Sequence, residues 1–405
     1  MERVISLIGL FVMIGIAWLM SSHKTRFPWR VVIGGLVLQF TVAALILLTG
    51  PGQAFFRGVD NVFNELMNCV DAGSSFLFGP TFLDHYFAFR VLPSIIFFAA
   101  FMQMLYYMGI MQRVVQGLGF VVQRTLGTTG PESLAAAANI FLGQTEAPLV
   151  VRPYVNSMTR SELMAIMVPG FGSTAGGVLI AYKSMGIDAG HLLTASVLSA
   201  PASLLIAKVM IPETDVSSQS SDKVSMEMGG AGANILEAIS IGTLEGLKLA
   251  LNVGAMLLAF LALIALANGL LGWMGGWFDQ TWSLASIFSS IFSPIAWIMG
   301  IPWEDCGVSG TLLGEKMVAN EFIAYSHLSD MMKPDAENPL SPRTVAIMTY
   351  ALCGFANFSS IGIQIGGIGG MAPERQSDLA KLGFRAMIGG ALANFMTACL
   401  AGIML

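Results

Sequence analysis

Long apolar runs separated by short polar stretches recur over the whole chain. Windows near 4–21, 31–49, 89–111, 161–183, 190–211, 249–271, 343–366 and 382–404 are each long enough, as helices, to cross the roughly 30 Å of a bilayer's hydrocarbon. The pattern predicts eight spans, and α-helical ones, because lipid offers no partner to backbone groups left outside a helix or a closed barrel. The region 54–68 reads differently. Phe55, Phe56, Val59, Val62, Phe63, Leu66 and Met67 share one helical face, with Arg57, Asp60, Asn61, Asn64 and Glu65 opposite. That stripe predicts a helix lying in the membrane interface, since no soluble domain is nearby for it to pack on.

Composition narrows the class further. Hydrophobic residues fill 55% of 405 positions and charged residues only 11%, under half of the roughly 25% usual in soluble domains. Mean hydropathy is +0.72, so only a polytopic membrane protein fits. A net charge of −5 provides no basic face, which excludes nucleic acid as a partner. Cys69, Cys306, Cys353 and Cys399 are widely separated and form no CxxC, so neither a zinc site nor a disulfide framework is indicated. The first window is preceded by a lone Arg3 and runs into Ser21-Ser22-His23-Lys24-Thr25-Arg26 rather than a small-x-small cleavage site. It reads as a retained span with a stop-transfer flank.

Basic residues orient the spans. His23 to Arg26 with Arg30, then Arg113 and Arg124, then Lys223, then Arg375 and Lys381 mark one side, whereas 249–315 contains no Lys or Arg. With the first basic loop inside, eight crossings place both termini outside and every basic cluster in the cytoplasm. The stretch 212–234, opening Pro212-Glu213-Thr214 and rich in Ser and Gly, predicts a mobile cytoplasmic linker rather than a domain boundary. The expected organisation is one membrane domain, 1–405. It comprises scaffold-like spans over 1–111, a first hairpin repeat over 131–211, the linker, a long span over 235–271 and a second hairpin repeat over 295–405.

Two places break the rules for lipid-facing helices. Ala138-Asn139-Ile140-Phe141-Leu142-Gly143-Gln144-Thr145-Glu146-Ala147-Pro148 precedes a span interrupted at Gly170-Phe171-Gly172-Ser173-Thr174-Ala175-Gly176-Gly177. Val318-Ala319-Asn320-Glu321-Phe322-Ile323-Ala324-Tyr325 likewise precedes one interrupted at Gly354 to Gly362. A carboxylate at bilayer depth costs at least about 2.5 kcal/mol, and irregular backbone leaves amides unpaired, so both belong where a cavity faces them. Paired interrupted segments in corresponding halves are the mark of a midplane substrate site in secondary transporters. The segments near 131–155 and 295–325 must each pass an even number of times, which re-entrant hairpins satisfy.

Other polar residues have plainer readings. Glycine and proline in spans also serve helix packing and kinks. Glu245 and Lys248, at i,i+3, predict a surface ion pair. Arg152 and Lys208 predict snorkelling helix ends, and His85, His191 and His327 solvated or capping roles. Intramembrane Glu146 and Glu321 predict a functional site.

At these residues the chain resembles the concentrative nucleoside transporter family. The resemblance is carried by Gly143-Gln144-Thr145-Glu146, Ala319-Asn320-Glu321-Phe322, Gly354-Phe355-Ala356-Asn357-Phe358-Ser359-Ser360-Ile361 and Leu251-Asn252-Val253-Gly254-Ala255-Met256. It covers essentially the whole chain, at the length of bacterial members. It implies an all-α homotrimer with eight spans per chain, two re-entrant hairpins, an interfacial helix and inverted repeats, in a bacterial inner membrane with periplasmic termini. It further implies that Gln144, Thr145, Glu146 and Val178 face the base of a nucleoside, and that Glu321, Asn357 and Ser360 hold the ribose beside Phe355. A coupling sodium ion falls on Asn139 and Ser173 with backbone oxygens at Leu142 and Thr174. Thr174 occupies a position where apolar residues also occur in the family, a harmless change if only its carbonyl is used.

The expected activity is therefore sodium-driven nucleoside symport, not catalysis. Proton coupling is the near alternative, although some proton-coupled members lack the Asn found here at 139. A hydrolase using Glu146 and Glu321 is a more distant one, without Gly-x-Gly-Asp or His-Glu-x-x-His to support it. A passive channel is the third.

Overall fold

The structure, a computed structural model, describes residues 1–215, 232–277, 280–333, 336 and 339–405. The described residues are all helical or irregular, without strands. The first spans are α1 (Glu2–Leu19) and α2 (Trp29–Leu48), followed by α3 (Gly50–Phe78), α4 (Leu92–Tyr107) and α5 (Ile110–Leu126). A unit of short helices comes next: α6 (Gly130–Ala138), α7 (Arg152–Val155), α8 (Arg160–Gly172) and α9 (Gly176–Ser184), closed by α10 (Ala189–Met210). After α11 (Ile235–Gly276) and α12 (Leu284–Ile298) the order recurs. It runs α13 (Trp303–Val318), α14 (Glu321–Met331), α15 (Pro342–Leu352), α16 (Phe358–Met371) and α17 (Gln376–Met404).

Among the described residues, seven helical stretches are long and apolar enough to cross a membrane. They coincide with seven of the eight expected windows. The exception is 343–366, which divides into α15 and α16 because the backbone leaves the helix over 353–357. There Gly354 has φ 154°, and a Cβ on it would stand 2.5 Å from Asn394 Oδ1 and 2.7 Å from Phe171 O. Only glycine fits that crossing.

Three boundaries differ from expectation. The amphipathic helix expected over 54–68 is α3, extended at its start by the Thr49 cap, whose Oγ1 accepts from Gly52 N at 3.1 Å. Its buried stripe, Phe63, Met67 and Val70, continues the predicted face one turn further. Polar anchors fix it: Asp60 pairs with Lys183 of α9, and Asp71 takes two bonds of 2.8 Å from Arg90. The long span, expected over 235–271, starts as expected behind the Asn234 cap and runs on to Gly276, 42 residues in all. The expected start of the second repeat, near 295, falls inside α12, a separate helix bent by 119° from α13.

Burial divides the molecule into a core and a wall. In the apolar windows of α10 and α17, 89% and 83% of residues are buried, against 6% in α11. α11 packs chiefly along α4 and leaves Leu251, Leu258, Leu263 and Leu266 exposed, as lipid or another apolar surface requires.

Three polar residues are corrected by packing. Lys208, expected to snorkel, is buried. It pairs with Glu132 of α6, donates to Ser161 Oγ at 3.0 Å and lies 3.4 Å from Glu213. Its partners come from other elements and neutralise it where it stands. His191 shares a 3.1 Å hydrogen bond with Tyr350, and His327 one of 2.8 Å with Glu315; both sit where helices meet rather than in solvent. Of the expected linker, 216–231 lies outside the described residues.

Candidate functional site

Caps at the breaks aim the polar groups. Asn320 caps α14, its Oδ1 accepting from Ile323 N at 3.0 Å, so Glu321 occupies the first helical position. Asn357 caps α16, its Oδ1 accepting from Ser360 N at 2.9 Å and from Ser359 Oγ at 2.8 Å. α9 begins after the 173–175 break with Ala175 at its cap. The N-termini of α14 and α16, each carrying partial positive charge, thus meet at the Glu321 carboxylate, and that of α9 borders the same space.

That gathering lines a cavity of about 530 Å³. Gln144, Thr145, Glu146, Val178, Glu321, Phe355, Asn357 and Ser360 all border it. The first four come from the turn after α6 and from α9. The second four come from α14 and the start of α16. The walls touch where Gln144 Nε2 donates to Ser360 Oγ at 3.0 Å. Glu321 is buried, with Oε1 accepting from Tyr182 Oη at 3.0 Å and Oε2 from Asn357 Nδ2 at 3.3 Å. These are bonds that an ionised carboxylate accepts. Glu146, in contrast, is exposed to the opening.

The two breaks also meet each other. Phe355 N donates to Ser173 O at 3.3 Å. Asn394 of α17 reaches between them, its Nδ2 donating to Gly172 O at 2.6 Å and to Cys353 O at 2.5 Å. Gly390, one turn earlier, lets α17 approach: a Cβ there would stand 2.8 Å from Phe171 C and 3.0 Å from Gly172 N.

The four residues expected to hold an ion lie on two adjoining segments, joined by the Gly176 N to Phe141 O bond of 2.9 Å. Asn139 is buried at the end of α6. Its Nδ2 donates to Ala135 O at 3.0 Å, and its Oδ1 has no partner. Buried acceptors are rarely left so, and an unpartnered amide oxygen beside unwound backbone fits a monovalent cation. Ser173 Oγ donates to Pro169 O at 2.8 Å, which leaves its lone pairs available. Thr174 turns its hydroxyl toward Cys353 Sγ, 3.7 Å away; a contribution to an ion would come from its carbonyl, as would that of Leu142. The residues present fit sodium.

Three family descriptions match consecutive parts of the chain. They are the N-terminus of Na+ dependent nucleoside transporters over 8–81, a nucleoside-recognition gate over 88–189, and the C-terminus of Na+ dependent nucleoside transporters over 191–402. The chain belongs to the sodium-dependent nucleoside transporter family. It is similar to an uncharacterized transporter of Haemophilus influenzae, 47% identical over 98% of this chain and 97% of the relative. It is also similar to human solute carrier family 28 member 3, 44% identical over all of this chain and 60% of the relative. It thus spans nearly all of that bacterial relative but about three fifths of the human one. Among solved structures, CNTnw in an inward-facing substrate-bound state is 41% identical and superposes with a TM-score of 0.93, covering 100% of this chain and 98% of that one. These relatives are transporters, not enzymes, and the all-helical membrane transporter fold is shared.

Sequence reasoning read Glu245 and Lys248 as a surface ion pair and the 251–256 stretch as a mark of resemblance, and assigned none of the facing wall to the site. Glu245, Lys248, Leu249, Asn252, Val253 and Met256 of α11 line the cavity. Glu245 and Lys248 form no ion pair; their side chains face the cavity instead of each other. The signal was present: polar residues at 245, 248 and 252 recur at helical spacing in an otherwise apolar run. Tyr182, which holds Glu321, gave no such signal.

Proposed function

We propose that the chain imports nucleosides across a bacterial inner membrane by sodium symport, with alternating access to the cavity between the two breaks. The observation that carries this reading is that one cavity joins amide and hydroxyl groups from one unit to a buried, hydrogen-bonded carboxylate with acceptor sites to spare from the other. Gln144 offers a donor and an acceptor, as a base edge requires, with Thr145 and Glu146 beside it and Val178 against the ring. Glu321 accepts from ribose hydroxyls, completed by Asn357 and Ser360, with Phe355 closing the site. Sodium is held by Asn139, Ser173 and the carbonyls of Leu142 and Thr174. It fixes the turn that presents Gln144 to Glu146.

In this reading α6–α7 and α13–α14 are re-entrant hairpins in inverted repeats, α3 lies in the interface, and eight crossings leave both termini periplasmic. The exposed face of α11 is where copies meet in a homotrimer. The buried Asn139 Oδ1, without a partner among the described residues, supports sodium over proton coupling, since an ion would complete it and a proton would not.

Proteoliposomes loaded with the purified protein test this. Labelled uridine should accumulate with an inward sodium gradient at equal pH. Accumulation driven by a proton gradient without sodium would replace sodium with proton coupling, and none with either would remove symport.

A further inference from the structure

Lys316 is buried in the last turn of α13, and the ion reading just proposed gives it no task. Its Nζ donates to Ala351 O at 2.8 Å and to Asn394 Oδ1 at 2.7 Å. Among the described residues no ion pair accompanies these bonds; Glu321, five residues on, accepts from Tyr182 and Asn357. Both hydrogen-bond partners of this buried amine are neutral oxygens, with the Glu321 carboxylate acting on it only at longer range, whereas buried charges are ordinarily paired directly. What surrounds it is a cation site. Ala351 O belongs to the last turn of α15, where helix carbonyls carry partial negative charge.

The first half offers the matching arrangement without the cation. There α6 ends at Asn139, whose Oδ1 is buried and without a partner among the described residues. Asn394 connects the halves, and its chemistry depends on Lys316. Two amide hydrogens serve Gly172 O and Cys353 O, one in each break, and the remaining oxygen needs a donor that Lys316 supplies. The ammonium thereby fixes which way the Asn394 amide faces.

We propose that the Lys316 ammonium is a tethered cation, doing for the second broken span what a dissolved sodium ion does for the first. One half of the molecule takes its cation from solution, and the other carries its own. Lys316 is a positioning residue: it acts on Glu321, Asn357 and Ser360 by holding the break from which α16 starts. The proposal rests on the sodium reading of Asn139 and Ser173 for its comparison, but not for its test.

The test compares uridine binding by purified wild-type, Lys316→Met and Lys316→Ala proteins. Met keeps most of the volume without charge, whereas Ala vacates the space of a propylammonium. Both variants should lose at least about tenfold in uridine affinity. Propylammonium chloride, present through purification and assay, should restore Lys316→Ala to within a few-fold of wild type. It should leave Lys316→Met unchanged, and 1-propanol should restore neither. With sodium as the only added cation, Lys316→Ala should need more sodium than wild type and respond to it more steeply, because it now takes two ions.

A Met variant that binds uridine like wild type would overturn the proposal. So would rescue of the Ala variant by 1-propanol as well as by propylammonium. If Lys316→Ala purifies as a folded protein only in propylammonium or high sodium, the proposal stands; if it is unfolded in both, it falls. Propylammonium also separates the two readings: wild-type binding indifferent to sodium removes the ion at Asn139, while rescue still establishes a cation requirement at Lys316.

Discussion

At the first turn, Asn139 Oδ1 and Gln144 Oε1 are buried without a partner, whereas at the second both Glu321 oxygens are bonded and Asn357 uses both ends of its amide. The same element order therefore supports two kinds of wall. The second is organised before anything binds, by a cap, a tyrosine and a neighbouring amide. The first is left short of donors and becomes satisfied only when ligands arrive. Unpaired acceptors are expensive, so the ion and the base complete what the fold leaves open.

The largest effect should come from the organised wall. Glu321→Gln removes the anionic acceptor for ribose and for Tyr182, which should weaken uridine by at least about 3 kcal/mol, more than about 100-fold. In the wild type, free uracil should compete poorly with uridine, and equal competition would sink the ribose assignment. Next comes the open wall. Asn139→Ala should lower sodium's enhancement of uridine affinity by about tenfold while sodium-independent binding persists, because coupled ligands raise each other's affinity by one common factor. Identical sodium titrations of variant and wild type would reduce Asn139 to a helix end.

Gln144→Ala should shift affinity by about 1 kcal/mol, and unequally for pyrimidine and purine nucleosides. A uniform loss in a competition panel would make Gln144 a packing residue. The smallest effect belongs to the facing wall. Glu245→Gln should change uridine affinity by less than about threefold, since exposed charges contribute little; a loss as large as that of Glu321→Gln would move the site onto α11.

What was legible in the sequence follows from contrast. Glu146, Glu321 and the Gly-Phe breaks stood out because charge and irregular backbone are rare among lipid-facing residues. The two carboxylates and the breaks were found for that reason, and the family resemblance implied the other site residues beside them. Lys208 was misread because Glu132 and Glu213, which neutralise it, stand on other elements, Glu132 76 positions away. Lys316 and Asn394 escaped notice because each is one polar residue in an ordinary helix, and their meaning lies in contacts across 78 positions. The end of α15 was readable from Gly354, but the need for glycine there comes from Asn394 and Phe171, which the local sequence does not announce.

The length of α11 has a mechanical consequence. Its 42 residues extend about 63 Å at 1.5 Å per residue, about twice the thickness of bilayer hydrocarbon, so it must lie steeply tilted or carry its ends into water. From Glu245 to Met256 its cavity-facing stripe covers about 16 Å of that length. The cavity thus uses only about a quarter of the helix as its wall, and α4 packs along it.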